Sequence, residues 1–258
     1  MNLELHGKYA WVGGASRGIG RAIAHQLAEQ GARLILVARN EPALQQLLAQ
    51  VPGEGHRAIV VDYLDREKLL QKAQEVVVEH PIHLLINNTG GPAAGTLVDA
   101  AFDDLQQAFQ LHVGAYQSLL QVLLPGMQAA GYGRIINIIS TSVKQPIPGL
   151  GVSNTIRGAV ANWAKTLSRE LAPWGITVNN ILPGKTQTER LSEIIEHQAK
   201  ILGRSTEEVA ENLRKQIPVG RFADPSEVAA AAGFLASPAA SFITGINLPV
   251  DGGEIKSL

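Results

Sequence analysis

The sequence contains no cysteine. This absence excludes a disulfide framework, a zinc site with thiolate ligands and a cysteine nucleophile. The chain has 258 residues, 45% of them hydrophobic, so it is long enough to bury a core that needs no covalent or metal crosslink. We therefore expect a single domain spanning residues 1–258.

Neither sign of charge is in excess, because 22 Lys and Arg stand against 23 Asp and Glu and the formal net charge is -1. A surface that neutralises nucleic-acid phosphates or anionic lipid carries a strong positive charge. We therefore predict no nucleic-acid partner and no membrane partner. A small phosphate-bearing ligand remains compatible with this composition.

Long apolar runs are also missing, since Gly, Asn or a charged residue interrupts each one before the roughly 18 to 20 residues that a membrane span requires. Residues 1–9 contain Glu4, His6 and Lys8 and lack the basic-then-apolar layout of a signal peptide. We therefore expect a cytoplasmic protein.

Short apolar, β-prone runs alternate along the chain with longer segments at helical spacing. The runs lie at residues 9–12, 34–37, 58–61, 84–86, 135–139, 177–181 and 246–250, and the helical segments at 21–30, 41–50, 66–79, 102–130, 153–171 and 227–235. Continuous Ile/Val/Leu runs joined by helical crossovers indicate parallel strands buried on both faces. We predict an α/β fold: a doubly wound, mostly parallel, seven-stranded Rossmann sheet with helices on both faces.

Residues 186–216 interrupt this alternation with charged helical turns between the sixth and seventh strands. Two interpretations are open at this stage. The segment is either an insertion that covers a substrate or a solvated pair of helices.

A glycine-rich turn follows the first strand and opens the first helix, reading Gly13-Gly14-Ala15-Ser16-Arg17-Gly18-Ile19-Gly20. Glycines at this place let the backbone approach a pyrophosphate, which the free N–H groups and dipole of the following helix attract. The turn therefore predicts a dinucleotide site, with a plain structural turn as the alternative.

Further motifs follow in a fixed order: Asp62, Asn87-Asn88-Thr89-Gly90, Asn137-Ile138-Ile139-Ser140, Val178-Asn179, Pro183-Gly184 with Thr188, and Val250-Asp251-Gly252-Gly253. With the glycine turn, these motifs give the chain its resemblance to the short-chain dehydrogenase/reductase family, especially its 3-oxoacyl-carrier-protein reductase branch. The resemblance covers nearly the whole chain. It implies that Asp62 contacts the adenine, that the Asn-Asn turn lies along the cofactor and that the Pro-Gly turn sits against the nicotinamide.

The end of the second strand indicates which cofactor is bound. An acid there binds the ribose hydroxyls of NAD, whereas arginines accommodate the 2′-phosphate of NADP. This strand ends Val37-Ala38-Arg39-Asn40, and a second arginine lies in the glycine turn. We predict NADP(H) rather than NAD(H), held by Gly14, Ser16, Arg17, Gly18, Ile19, Gly20, Arg39, Asn40, Asp62, Asn88, Thr89, Gly90, Arg157, Pro183, Gly184 and Thr188.

The catalytic positions depart from the family pattern. The resemblance implies an Asn on the fourth helix, a Ser after the fifth strand, a Tyr thirteen positions later and a Lys four beyond that. Ser140 fills the serine position, but Ser153 stands where the Tyr is expected, Arg157 where the Lys is expected and His112 where the Asn is expected. No tyrosine follows Tyr132 in the chain, so a small shift of the alignment does not recover one.

A serine hydroxyl is a far weaker acid than a tyrosine, so another group must protonate the product if the protein reduces a carbonyl. His112 is the first candidate, because an imidazole titrates near neutrality. Lys144 and solvent are the others, and Arg157 still offers hydrogen bonds to the nicotinamide ribose.

Two functions of different class follow. The first is an oxidoreductase acting on a carbonyl or secondary alcohol, a small ketone or an acyl thioester, with Ser140 polarising the oxygen. The second is a catalytically silent NADP(H)-binding protein with a sensing or structural role. The fourth and fifth long helices read as apolar on more than one face, so we also expect a homotetramer or homodimer. We predict no metal site.

Overall fold

The computed structural model describes residues 1–257, and within that range seven strands form one sheet. The strands are β1 (Tyr9–Gly13), β2 (Arg33–Ala38), β3 (Arg57–Val60), β4 (Leu84–Asn87), β5 (Gly133–Ile138), β6 (Ile176–Pro183) and β7 (Asn247–Val250). Their order across the sheet is β3-β2-β1-β4-β5-β6-β7, and each neighbouring pair is parallel. The predicted doubly wound parallel sheet is confirmed.

The helices lie between the strands in the predicted places. They are α1 (Gly18–Glu29), α2 (Glu41–Leu48), α3 (Arg66–Glu79), α4 (Phe102–Phe109), α5 (Ala115–Ala130), α6 (Gly151–Leu171), α7 (Glu189–Leu202), α8 (Thr206–Lys215) and α9 (Pro225–Ala236). A five-residue π-helical segment, Gln110–Gly114, joins α4 to α5. The segment predicted as one helix over 102–130 is therefore continuous but wider at its centre.

Two apolar layers cover the sheet, one on each face. Side chains of α1, α2 and α9 pack with one set of strand residues, and side chains of α3, α5 and α6 pack with the other set. Because alternate residues of a strand point to opposite faces, central strands covered on both sides need apolar residues throughout. The five residues of β1 are accordingly all buried.

The strand order reverses between β1 and β4, since the chain first builds β2 and β3 on one side of β1 and then crosses to the other side. Loops leaving the carboxyl ends of β1 and β4 diverge at such a point and leave a crevice between them. The glycine turn and the Asn-Asn turn follow these two strands, so the topology brings both motifs to this crevice.

The apolar faces of α5 and α6 are covered within the chain itself. In α5, Leu119, Leu120 and Leu123 are buried, and in α6 Val160 and Leu171 are buried. The inference that these faces need a second copy to cover them was wrong, because the sheet and neighbouring helices already bury them. No helix within residues 1–257 is long and apolar enough to cross a membrane.

Candidate active site

The glycine turn packs so closely that two of its positions admit no side chain. Gly14 has a φ of 58°, and a Cβ there would lie 2.7 Å from the side-chain nitrogen of Asn88. A Cβ on Gly20 would lie 2.2 Å from the carbonyl oxygen of Gly14. Among the described residues, no side chain caps the first turn of α1, so its free N–H groups remain available to a phosphate. The residues present fit a dinucleotide pyrophosphate.

Asn88 links the two turns that border the crevice. Its Nδ2 donates to the carbonyl oxygens of Gly13 and Gly14 at 3.2 and 3.4 Å. The loop after β4 therefore supports the loop after β1 directly, which fixes the shape of the glycine turn.

The two arginines predicted to hold a 2′-phosphate point to different partners. Arg17 donates from Nη1 to Glu189 Oε2 at 2.6 Å and lies 3.7 Å from Glu193, both on α7. Arg39 is 76% exposed and has Asp62 Oδ2 at 3.4 Å. Glu189 raises the pKa of Arg17, chiefly through this hydrogen bond. Arg39 is the arginine that is freer to meet a phosphate.

Three further residues predicted to bind cofactor have structural tasks at the same edge. Asn40 caps α2, its Oδ1 accepting from the Ala43 amide at 3.1 Å. Asp62 Oδ1 accepts from the Leu64 amide at 3.0 Å. Thr188 caps α7 through its side-chain oxygen. Ser16 and Ile19 lie half-buried within the glycine turn.

Residues after β6 fold back against β7 and then start α7. The Gly184 amide donates to the Val250 carbonyl at 2.9 Å, and a Cβ on Gly184 would lie 2.7 Å from Asp251 Cα. This close contact directs the chain beyond Pro183 toward the crevice, where Thr186 Oγ1 donates to the Gly184 carbonyl. The amino end of α7 thus lies beside the glycine turn.

A ladder of asparagine side chains runs beneath the site across four strands. Each Nδ2 donates to the next Oδ1 at 2.8 Å, from Asn87 to Asn137, to Asn180 and to Asn247. The four residues are directly paired in the strand register. Such a polar row fixes the relative positions of the strand ends that carry the loops of the site, and the Oδ1 of Asn87 at its first end has no partner among the described residues.

Ser140 lies directly after β5 and begins a short 3-10 turn, Thr141–Val143. Its Oγ accepts from the Ser142 amide at 3.1 Å. Because the hydroxyl uses a lone pair in that bond, its proton remains available to a ligand oxygen. Lys144 follows on the same loop and is half-buried.

His112 lies in the π-helical segment and is 0% exposed. Its Nδ1 is 2.8 Å from Thr89 Oγ1, and its Nε2 has no hydrogen-bond partner in the described chain. Burial, with Arg157 nearby, lowers its pKa to about 2. The sequence-based reason for choosing His112 as an acid was therefore wrong, because a buried imidazole beside a cation stays neutral near pH 7.

Arg157 is 6% exposed, one helical turn beyond the half-buried Ser153 on α6. Its Nη1 donates to the Ile138 carbonyl at 3.1 Å. The guanidinium also lies near the Tyr116 hydroxyl, and burial lowers the pKa of Arg157. No acidic side chain within residues 1–257 forms an ion pair with it.

Tyr116 is the residue that sequence reasoning missed. The family spacing places the tyrosine after Ser140, whereas Tyr116 comes from α5 and is 0% exposed. Its hydroxyl is 2.9 Å from Thr89 Oγ1. The available signal was its position four residues after His112, which places both side chains on one face of the helix.

Residues 186–216 form the helix pair α7 and α8, whose facing sides share a small apolar cluster of Leu191, Ile195, Ala199, Val209 and Ala210. The pair is joined to the loop after β4, because Arg190 Nη2 donates to the Pro92 carbonyl at 3.2 Å. The segment is therefore a helix pair that borders the crevice.

Comparison with known proteins decides the family. The family model described as "Enoyl-(Acyl carrier protein) reductase" matches residues 14–254. The chain belongs to the short-chain dehydrogenase/reductase family.

Two curated members of the family are similar over almost their whole length. The NADPH-dependent reductase BacG of Bacillus subtilis is 34% identical, with 96% of this chain and 98% of the relative covered. The 3-oxoacyl-[acyl-carrier-protein] reductase FabG of Vibrio cholerae is 33% identical, with 98% of each covered. These matches confirm the predicted resemblance to the 3-oxoacyl-carrier-protein reductase branch.

A solved member of the family shares the fold closely. L-sorbose reductase from Gluconobacter frateurii, complexed with NADPH and L-sorbose, superposes with a TM-score of 0.93 at 31% identity, with 100% of both chains covered. In this short-chain dehydrogenase/reductase, the carboxyl ends of β4 and β5 carry Thr89 and Ser140, and the neighbouring helix α6 carries Arg157. Ligands bind at this edge in open parallel sheets.

Proposed function

We propose that this family member is an NADPH-dependent reductase of a carbonyl group. The observation that carries the proposal is the combination of a closely packed glycine turn with Ser140, whose hydroxyl proton is free, at the same edge of the sheet. A protein that only bound a dinucleotide would have no use for a free serine hydroxyl there. The similar proteins BacG and L-sorbose reductase are described as NADPH-dependent or NADPH-bound reductases, which supports the proposal.

NADPH, when bound, supplies the hydride that reduces the carbonyl carbon. We assign its pyrophosphate to the backbone of the glycine turn and the first turn of α1. Asn88 holds that turn in shape, and Thr188 and Gly184 border the nicotinamide end. Ser140 donates its proton in a hydrogen bond to the carbonyl oxygen, which strengthens as charge develops on that oxygen.

The preference for NADPH over NADH rests on Arg39. The side chain is largely exposed, and Asp62 at 3.4 Å is its acidic neighbour. The second strand ends without an acid that would repel a 2′-phosphate. A guanidinium pairs well with a phosphate, so Arg39 favours the phosphorylated cofactor.

The helix pair over residues 186–216 is proposed to close over a small ketone or acyl thioester. Support comes from its position, since Arg17 and Arg190 tie α7 to the glycine turn and to the loop after β4. The segment therefore borders the substrate side of the crevice. Differences in its side chains would select the substrate.

We also propose a homotetramer or homodimer, on a different ground from the one the sequence offered. Phe102 and Phe109 are seven residues apart on α4 and are 76% and 50% exposed. Two exposed aromatic rings on one helix face favour contact with another copy.

The experiment that tests the reductase is a screen of β-ketoacyl thioesters, quinones and simple ketones with NADPH, followed by loss of the cofactor's absorbance. The Ser140→Ala variant is the control for each active substrate. Turnover by the wild type that falls about 10²-fold in Ser140→Ala supports the proposal. A protein that binds NADPH tightly but turns over no substrate would instead be the silent dinucleotide-binding protein.

A further inference from the structure

The side chains that meet below the crevice form a line with a defined direction. Arg157 lies at its inner end, followed by Tyr116 and Thr89. Arg157 and Tyr116 are buried, and Thr89 is half-buried, so Thr89 is the member that reaches the crevice. The three come from α6, α5 and the loop after β4.

The direction follows from which groups donate and which accept. A guanidinium is only a donor, so Arg157, which lies near the Tyr116 hydroxyl, cannot accept the Tyr116 proton. The acceptor in hydrogen-bond contact with Tyr116 is Thr89 Oγ1, 2.9 Å away. Tyr116 is therefore a donor toward the crevice.

His112 occupies the second lone pair of Thr89. Its Nδ1 is 2.8 Å from Thr89 Oγ1, and its buried Nε2 has no partner in the described chain. A buried N–H without a partner is rarer than a buried acceptor without one, which favours the tautomer with the proton on Nδ1. Thr89 then accepts from both Tyr116 and His112, and its own proton is left for a ligand in the crevice, because Thr89 is the half-buried member of the line.

We propose that Tyr116, acting through the hydroxyl of Thr89, supplies the proton that completes the reduction. This inference rests on the proposed reductase function. It gives the chain a tyrosine and cation pair, Tyr116 with Arg157, assembled from two different helices.

The step balances in protons and charge. Hydride addition to the carbonyl carbon moves the C=O π pair onto the oxygen, which becomes an alkoxide. The alkoxide takes the Thr89 proton, and Thr89 takes the Tyr116 proton. Tyr116 is left as a phenolate beside the Arg157 guanidinium, so the buried cation gains a counter-charge. After product leaves, solvent returns one proton along the same path through Thr89.

Charge and burial act on Tyr116 in opposite directions. Burial raises its pKa above the ordinary value near 10, and Arg157 opposes that rise. The hydroxyl is therefore fully protonated at neutral pH, and an alkoxide is basic enough to take its proton. The titratable groups near Tyr116 are His112, Arg157 and Tyr63.

The activity test compares Tyr116→Phe with Tyr132→Phe, using a substrate that the wild type reduces with NADPH. Tyr132 lies away from the crevice and donates to the Ala236 carbonyl, so its variant controls for loss of a tyrosine hydroxyl. We expect Tyr116→Phe to lose about 10²-fold in kcat with little change in KM, and Tyr132→Phe to keep its kcat.

Thr89 provides a second pair of variants that change the relay with little change in packing. Thr89→Val removes the hydroxyl at the same volume, and Thr89→Ser keeps it. We expect the kcat of Thr89→Val to fall about as far as that of Tyr116→Phe. Thr89→Ser should retain most of the wild-type kcat. The solvent deuterium isotope effect on kcat should also change in Tyr116→Phe, which a purely structural loss would not produce.

A readout without cofactor tests the pairing itself. The chain has four tyrosines, so carbon-13 at Cζ of tyrosine gives four NMR signals, and Tyr116→Phe assigns one of them. We expect the titration midpoint of that signal to lie at higher pH in Arg157→Met than in the wild type. The midpoint should move less in Arg157→Lys, which keeps a positive charge. An identical titration in the wild type and Arg157→Met would overturn the pairing.

The two proposals fail in different ways. If the wild type binds NADPH but reduces no carbonyl substrate, the proposed function fails. If the wild type is active and folded Tyr116→Phe and Thr89→Val keep full kcat, only the proton relay is overturned.

Discussion

Arg17 in the glycine turn and Glu189 at the start of α7 form an ion pair of 2.6 Å. The pair joins the turn that would hold a pyrophosphate to the helix that borders the substrate side. It also occupies an arginine that the sequence assigned to the 2′-phosphate. The two arginines of the cofactor end are therefore not equivalent.

Arg39→Ala should weaken NADPH binding about tenfold or more and leave NADH binding nearly unchanged. The reason is that a charged hydrogen bond to the 2′-phosphate contributes about 1.5 to 3 kcal/mol. Titration of each cofactor into both proteins measures the effect. Equal affinity of the wild type for the two cofactors, unaffected by the substitution, would contradict the assignment.

Glu189→Gln should increase NADPH affinity by up to about fivefold, because it frees Arg17 and an exposed ion pair contributes at most about 1 kcal/mol. NADH binding is the matched comparison, since it has no 2′-phosphate. The effect should disappear in Arg17→Ala with Glu189→Gln. A gain that persists without Arg17 would show that the helix, rather than the arginine, is responsible.

Stability should fall as the pH drops below about 6.5, and His112 should account for much of the fall. The unfolded chain protonates this histidine below its ordinary pKa, whereas burial holds the folded pKa at about 2. The stabilisation is thus complete above pH 6.5 and declines by up to about 1.4 kcal/mol per pH unit below it. His83, whose pKa burial lowers to about 4, adds a smaller share.

Urea unfolding at neutral pH and at about pH 5 measures this dependence in the wild type, in His112→Gln and in His197→Gln. His197 is exposed on α7 and serves as the control. His112→Gln should flatten the dependence, while His197→Gln should leave it as in the wild type. The same steep decline in all three proteins would show that His112 is not its source.

Asn137→Leu should destabilise the fold by about 2 to 4 kcal/mol, because it breaks two bonds of the ladder and leaves the Nδ2 of Asn87 and the Oδ1 of Asn180 without a partner. Chemical denaturation measures the change, with Asn162→Leu on the exposed surface of α6 as the control. If both variants unfold at the same denaturant concentration, the ladder is not a stabilising element.

Ser153→Tyr with Arg157→Lys installs the pair that the family resemblance implies on α6. Added to Tyr116→Phe, this change should raise turnover about 10²-fold above that of Tyr116→Phe alone, because the new tyrosine replaces the lost proton donor. NADPH affinity should change little. A combined variant that binds NADPH and folds normally but gains no activity would mean that proton supply does not limit turnover.

Much of the fold could be predicted from the sequence because its signals are local. Central strands buried on both faces read as continuous apolar runs, and all seven predicted strands are present with ends shifted by a few residues. The glycine turn is local in part, because a Cβ on Gly20 would meet Gly14 of the same turn, whereas a Cβ on Gly14 would meet Asn88 on the loop after β4.

The missing parts of the site depend on contacts between distant segments. The meeting of Tyr116 with Arg157 requires the packing of α5 on α6, and the partner of Arg17 comes from α7. The π-helical segment has no residue signature of its own. The expectation that His112 titrates near neutrality was wrong because burial lowers its pKa, and the burial of a side chain cannot be read from the sequence.

Transfer of the hydride itself is the sharpest test of the reductase function. The wild type is incubated with NADPH carrying deuterium at the transferable position and with a ketone from the active set, and the alcohol is examined by mass spectrometry. A reductase places one deuterium on the carbinol carbon of the product, and Ser140→Ala forms this product much more slowly. Bound NADPH with no deuterium transferred to any ketone, quinone or thioester tested would contradict the reductase function.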